Sequence, residues 1–598
     1  MANDARKFTI DAAQSIGALR RFWCSTGFTP ARLLLADEMR QLLQYLGSVP
    51  HGGIRHVRIH YLLELLRGSA FGGEAPHYDW SLLDRGLDVL VENRLAPFFE
   101  LMGNPGGYFT DYEKSDQVHA WRRLVRDLAR HCIGRYGIDE VLSWYFETWN
   151  EPDVGWWKQS DRAFHNYYDA CSAGLTDVDP RLRMGGPGTC QGLSDRLKSF
   201  LAHCDSGIDF FTAAKGVRLD FISVHEKGAH SNKEDLTPDM RGVCQREADI
   251  VAYIRRNHPR LADVPFMNNE CDPQVGWHDT HTWHAKAYYA AQIPKVIDQH
   301  QRHLVDELKV RYELLSNDNG FVGAWGHRTH LALFANAEDL TLGRFEQIKK
   351  PCLNAMTMLS LLGESRLKIE GLGGVFDDLG AIATRAADGQ VAVLVYNHSD
   401  RLDVSGVSNV EVEIKGLPAP GAMLARYCID DAHGAPYWLW ERGGAPAPDR
   451  VKSEHARLFA EMRSEQELTL VGAPAPIRGN TASVTFDLAK PGLALILVSP
   501  KPSSSPGRIN GLKAHRYHGL FAEGQVMLTW PPLPSRVVRT YEVLHAANKS
   551  GPFVRVNAPD LLCGAFLHVA ADVRGFYQVR AADYWGRSGE SSETIEVS

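Results

Sequence analysis

The chain has 598 residues, 44% hydrophobic and 23% charged, a globular composition that excludes global disorder and leaves room for about three domains. Lys+Arg 65 against Asp+Glu 72 gives a net charge of −7, which excludes a broad basic field for nucleic acid or an anionic membrane. No stretch reaches the ~18–20 apolar residues of a membrane span. Residues 1–8 carry no secretory pattern, and ten cysteines without a CxxC pair are too sparse for a disulfide scaffold, so a cytoplasmic chain with reduced thiols is expected. No nucleic-acid or membrane partner is expected, and the sequence sets no oligomeric state.

Residues 1–29 read as an N-terminal segment packing on a later β-rich part. From about 30 to 358, short apolar runs alternate with amphipathic helices. A first strand near Phe22–Gly27 is followed by His56–His60, Ala96–Leu101, Trp144–Trp149, Leu182–Gly185, Phe221–His225, Pro265–Asn269 and Tyr312–Leu315. The clearest helix is Asp116–Cys132, with Ser115 placed to cap it and Gly134 and Gly137 to stop it. Strands alternating with helices point to a parallel sheet. Polar residues collect at the C-terminal strand ends, namely Arg58, His60, Asn150, Glu151, His225, Lys227, Glu270 and Asp318. A (β/α)8 TIM barrel puts its site there, whereas an open doubly wound sheet would concentrate it at one switch point.

Beyond Leu361 the pattern turns to strands. Ala381–Thr384 and Val391–Tyr396 flank an Asp388-Gly389 turn, and Val410–Ile414, Ser483–Leu488 and Leu493–Val498 follow. Residues 359–500 therefore read as a β-sandwich and the Pro/Ser-rich 501–510 as a linker. Residues 511–598 have the strand spacing of a fibronectin type III-like β-sandwich.

The most informative segment is Phe146-Glu147-Thr148-Trp149-Asn150-Glu151-Pro152-Asp153. An Asn-Glu-Pro closing a barrel strand suits glycoside hydrolysis: the Glu reaches the glycosidic oxygen, the Pro ends the strand and the Asn can bind a sugar 2-hydroxyl. Read blandly, the tripeptide is a turn initiator. Glu147 shares the face of this strand but lies deeper, which suits a hydrogen-bonded structural role. A second carboxylate is required; Glu270, closing Pro265–Asn269, is preferred over Asp272, since Asp before Pro is more often a turn residue. About three βα units of roughly 35–40 residues fit between Glu151 and Glu270, which puts them on the fourth and seventh strands.

These motifs resemble the family of glycoside hydrolases that contains α-L-iduronidases and β-xylosidases (family 39). The similarity runs from Leu19–Phe28 and Gly53–His60 through Phe146–Asp153, Asp220–Gly228, Glu270–Trp277 and Leu314–Asn319 to Tyr577–Trp585. Asp272-Pro273-x-Val275-Gly276-Trp277 and His225-x-Lys227-Gly228 lie nearer the iduronidases than the xylosidases. The resemblance implies a retaining exo-glycosidase acting on a terminal α-L-iduronic acid of an oligosaccharide, with Glu151 as general acid/base and Glu270 as nucleophile. It also implies that Arg58, His60, Asn150, His225, Lys227, Gly276, Trp277, Asp318 and Arg328 line the sugar site. Lys227 and Arg328 would supply the fixed cations that an acidic sugar needs in an acidic protein; read alone, they could equally be solvated charges, and His60 and His225 core histidines. Where the family pattern has a basic residue, Glu226 stands between His225 and Lys227, and strand alternation turns it away. Asn269 and Cys271 replace Asp and Ala beside Glu270. The 318–328 loop is short, which makes Arg344 a competitor of Arg328.

No cofactor is implied. His278, His281 and His284, near Cys271 and Asp279, suggest zinc, but one helix face does not surround a metal and no second ligand pair is evident, so no metal is expected. Glu151 has to be protonated while Glu270 is ionised, and their mutual repulsion is expected to help arrange this.

Overall fold

The computed structural model describes residues 5–28, 30–229, 237–276, 279–317, 319–417, 421–521 and 523–598, with the side chain of residue 28 excepted. The first strand, β1 (Arg6–Ala18), leaves the N-terminal segment to join a later sheet. It runs antiparallel to Ser365–Glu370 and parallel to Gly406–Lys415.

Eight parallel strands follow: β2 (Ser25–Phe28), β3 (His56–Ile59), β4 (Ala96–Glu100), β5 (Tyr145–Glu147), β6 (Arg183–Thr189), β7 (Phe221–Val224), β8 (Phe266–Asn268) and β9 (Tyr312–Leu315). They are hydrogen-bonded in chain order. A parallel bridge between Thr26 and Asn317, with Gly27 N donating to Asn317 O at 3.1 Å, brings the last strand back to the first. The result is a nearly closed TIM-like barrel. Period-two alternation sorts its side chains. Phe98, Tyr145, Phe221, Met267 and Leu314 point inward and pack as a separate apolar layer, with Phe98 stacked on Tyr145 at 5.0 Å. The residues two further along the same strands, Glu100, Glu147 and Asn269 among them, sit above this floor and are almost all polar.

Around the barrel, the helix Ser115–Tyr136 buries Val118, Trp121, Leu124, Val125, Leu128 and Cys132. It differs from the sequence reading at both ends. Ser115 is its first helical residue rather than its cap, and the helix passes through Gly134 to stop at Gly137, where φ is 86°. A glycine inside a helix costs only about 1 kcal/mol, which tertiary packing overrides, whereas a left-handed C-terminal residue ends the helix outright.

The remainder is mostly β. Ten strands form one sheet ordered 469–470, 423–429, 492–499, 391–397, 379–385, 365–370, β1, 406–415 and 482–490, with 475–476 paired beside 423–429. Its core includes Phe8, Ile10, Val393, Val395, Val412 and Ile496. At the C-terminus a three-stranded and a four-stranded sheet share a core around Trp530, Tyr541 and Val579. No helix among the described residues is long and apolar enough to cross a membrane.

Glu346 sits where these parts meet. It accepts from Arg463 Nη1 at 3.1 Å, Gln525 Nε2 at 2.7 Å and Leu520 N at 3.2 Å. Burial pushes its carboxyl up to about 7, against the pull of Arg463 and the hydrogen bonds. The folded chain therefore binds a proton that the unfolded chain releases near pH 4.5. Stability from this group is complete below about 4.5 and is lost as pH rises through 7, by about 3 kcal/mol at 1.4 kcal/mol per pKa unit. The difference in thermal stability between wild type and Glu346→Gln should accordingly change in favour of the variant from pH 5 to pH 8. A difference independent of pH would contradict this.

Candidate active site

The ends of six strands, β3 to β8, build the site. Arg58, on β3, is 2% exposed and works as a hub. Its Nε donates to Glu147 Oε2 at 2.7 Å, Nη1 to Glu270 Oε1 at 2.6 Å and Nη2 to Asn150 Oδ1 at 3.1 Å, and it also pairs with Glu100. Burial opposes its charge, but Glu100, Glu147 and Glu270 together raise its pKa above the ordinary arginine value. His60, two residues on, places Nδ1 2.6 Å from Glu100 Oε2 and Nε2 3.5 Å from Glu270 Oε1. Its pKa is raised: burial is outweighed by Glu100.

Glu151 follows β5 with φ of 42°, a left-handed conformation that costs a non-glycine residue roughly 1–3 kcal/mol. Its N donates to Gly188 O at 3.0 Å, which fixes the bend. Gly188 has φ of 62°, and a Cβ there would lie 3.5 Å from both Glu147 Oε1 and His225 Nε2. A larger side chain would crowd the polar layer. From the end of β7, His225 Nδ1 lies 3.0 Å from Glu151 Oε1 and 3.5 Å from Glu270 Oε1. Single side-chain atoms of Glu151, His225 and Glu270 all fall within 4.8 Å of one another.

Lys227 joins the two glutamates. Its Nζ donates to Glu270 Oε2 at 2.6 Å and to Glu151 Oε1 at 3.3 Å, and lies 3.9 Å from Asp272 Oδ2. Burial lowers the lysine pKa, yet these carboxylates raise it on balance. Burial would likewise raise Glu151. Lys227 and the His225 hydrogen bond outweigh both burial and the Glu270 charge and hold Glu151 down at about 2. Glu270 lies well below the carboxylate range, because His225, Lys227 and Arg58 overcome its burial. The Glu270 charge does raise Glu151, as expected, but the ammonium between the two glutamates reverses the net result and stabilises both as anions.

Behind Lys227, Asp272 is fully buried and forms an ion pair with Arg328, whose Nη1 also donates to Gln274 O at 3.3 Å. Arg344 instead pairs with Asp339 at 2.8 Å and stands on the surface, so it does not join this cluster. Glu226 points outward into Arg246 Nε at 2.6 Å, as alternation requires. Gly276 has φ of 93°, and a Cβ would lie 2.3 Å from Asp279 Oδ2. Trp277 and Asp318 lie outside the described residues, as does His278. His281 precedes a single short turn, Thr282–Ala285, and His284 lies within it, so the two do not share the face of a long helix; His284 Nδ1 meets Gly326 O at 2.6 Å.

The site roles of Glu100, Asn269 and Gly188 and the bracing role of Asp272 were not read from the sequence. Period two along Ala96–Glu100 carries the signal for Glu100, since it shares the face of inward Phe98. Glu147 is fully buried between Arg58 and Asn269 Nδ2 (2.8 Å), below Glu151.

The glycosyl hydrolases family 39 profile matches residues 6–481. This chain belongs to that family. It is an O-glycoside hydrolase, and a second profile, the alpha-L-iduronidase C-terminal domain, matches residues 519–598. Human alpha-L-iduronidase is 36% identical, across 98% of this chain and 92% of that protein. The beta-xylosidase of Geobacillus stearothermophilus is 25% identical over 69% of this chain and 82% of its own. A solved structure described as the bacterial orthologue of the human iduronidase superposes with a TM-score of 0.93 at 39% identity, covering 99% of both chains.

Proposed function

We propose that this hydrolase removes terminal α-L-iduronic acid from glycosaminoglycan-type oligosaccharides with retention of configuration. The observation that carries the reading is Lys227, a buried cation touching both glutamates at the barrel mouth, with Arg328 one carboxylate behind it. A uronate carboxylate gives Lys227 a partner that a neutral pentose does not. The close relatives named for iduronidase activity support the same sugar.

In the first half-reaction Glu270 attacks the anomeric carbon and Glu151 protonates the departing oxygen. In the second, Glu151 takes a proton from water as the water displaces Glu270. Retaining enzymes hold their carboxyl groups about 5–5.5 Å apart, which the approach of Glu151 and Glu270 to within 4.8 Å supports. Arg58 and His60 hold Glu270 ionised and oriented. Asn150, its Oδ1 occupied by Arg58, turns its amide N–H towards the sugar 2-hydroxyl. His225, Gly276, Trp277, Asp318 and Arg328 complete the sugar site.

The reading extends to organisation. The catalytic domain runs to about residue 358 and begins at Ser25 rather than at 30, because the first barrel strand, Ser25–Phe28, lies inside the segment that the sequence reads as N-terminal. Residues 359–500 form a β-sandwich completed by β1, and 511–598 a fibronectin type III-like sandwich, joined by the 501–510 linker. A reducing, cytoplasmic setting, in which the ten cysteines stay as thiols, is part of the same proposal.

The test is hydrolysis of an aryl α-L-iduronide beside an aryl β-D-xyloside by the wild-type chain. The iduronide should be preferred by at least about 100-fold in kcat/KM, the equivalent of roughly 3 kcal/mol from a buried charge pair. Preference for the xyloside would replace this substrate with a neutral one and leave the two-glutamate chemistry in place.

A further inference from the structure

At the closed end of the barrel, where the strands begin, two adjoining clefts share Arg21, Cys24 and Arg55 in their walls. One, of about 500 Å³, is completed by His51 and Arg536. The other, of about 350 Å³, adds Arg20 and Arg311. Both lie at the opposite ends of β2, β3 and β9 from the glutamates, so neither belongs to the site above.

The arginines of these walls outnumber the acids, and two of the three acids lie beside arginine. Glu364 accepts from Arg536 at 2.6 Å. Glu313 is held by the Tyr145 hydroxyl at 2.9 Å and lies 3.7 Å from Arg183, and Asp388 accepts from Gln390 N at 3.1 Å in its turn. Arg21 and Arg536 are fixed by main-chain carbonyls: Arg21 donates to His51 O at 3.1 Å and to Leu362 O, and Arg536 to Ser360 O at 3.4 Å. Arg20, Arg55 and Arg311 are exposed and form no ion pair among the described residues. The histidines register the resulting field. His51 is held down to about 3, first by burial and then by Arg536 and Arg21. His56 is held to about 4 by burial, with Arg183 and Arg55 adding to it. A chain of net charge −7 thus concentrates unbalanced cations in one concave place.

We infer that this arginine-lined cleft binds a tetrahedral oxyanion, free or as the sulfate or phosphate ester of a small molecule. Guanidinium forks match such oxyanions in shape and hydrogen-bond direction, and the volumes fall in the range of small-molecule sites. An anion there relieves repulsion among arginines that the fold has already fixed in place.

Isothermal titration of the full chain tests this, with sodium phosphate, sodium sulfate and a 6-O-sulfated hexosamine, each against sodium chloride at matched ionic strength. The expected result is saturable binding of at least one probe, weakened tenfold or more in Arg55→Ala/Arg311→Ala. An unchanged melting temperature would show that this surface variant remains folded. Tighter binding of the inorganic ions assigns the free anion, and tighter binding of the sulfated sugar assigns the ester. No heat beyond the chloride control, or equal binding by both proteins, overturns the inference.

Discussion

Glu270→Gln should lower turnover of an aryl α-L-iduronide by about 10⁴-fold or more while the chain stays folded. An amide keeps the shape of the carboxylate but cannot form the glycosyl-enzyme bond, and removal of a nucleophile takes away the whole two-step route. The fold should survive because each cation keeps another anion: Arg58 retains Glu100 and Glu147, and Lys227 retains Glu151 and Asp272. Azide separates the two glutamate roles by stereochemistry. In Glu270→Ala, azide entering the vacated space attacks the anomeric carbon directly, so the glycosyl azide forms with inversion. In Glu151→Ala, an activated substrate still glycosylates Glu270, and azide, which needs no general base, displaces it with net retention. The same configuration from both variants, or near-normal turnover by Glu270→Gln, would refute the assignment.

Much of this site was legible because a barrel strand obeys a two-residue period. The expected strands fall within a residue or two of the observed ones for most of the barrel, and the rule that turned Glu226 away from Lys227 also held. Gly134 misled because local propensity is weak beside the burial of Trp121, Leu124 and Leu128 on one face. The choice between Arg328 and Arg344 depended on how a loop returns to the barrel mouth, which neither spacing nor periodicity encodes. The protonation of Glu151 was the deeper miss. Two carboxylates in sequence imply repulsion, but the position of a third group, the Lys227 ammonium, reverses the sign.

That reversal leads to the second large effect. In the substrate-free enzyme Lys227 keeps Glu151 ionised, near pKa 2, although a general acid must carry a proton. A uronate carboxylate that engages Lys227 draws the ammonium from Glu151, which then follows its burial and the Glu270 charge towards protonation. Substrate charge thereby both anchors the sugar and arms the acid. Lys227→Met should lower kcat/KM for the iduronide by about 10²–10³-fold, the loss of roughly 3–5 kcal/mol from one partner of a buried ion pair. The aryl β-D-xyloside, which has no carboxylate to draw the ammonium away, should show no such loss and should instead be turned over faster near neutral pH, because Glu151 protonates more readily without Lys227. The pH profile carries the sign. Without Lys227 both glutamate pKa values rise, so the acid limb, set by ionisation of Glu270, and the basic limb, set by protonated Glu151, should both move to higher pH for the neutral substrate. Equal losses on the two glycosides with unmoved limbs would reduce Lys227 to a structural brace.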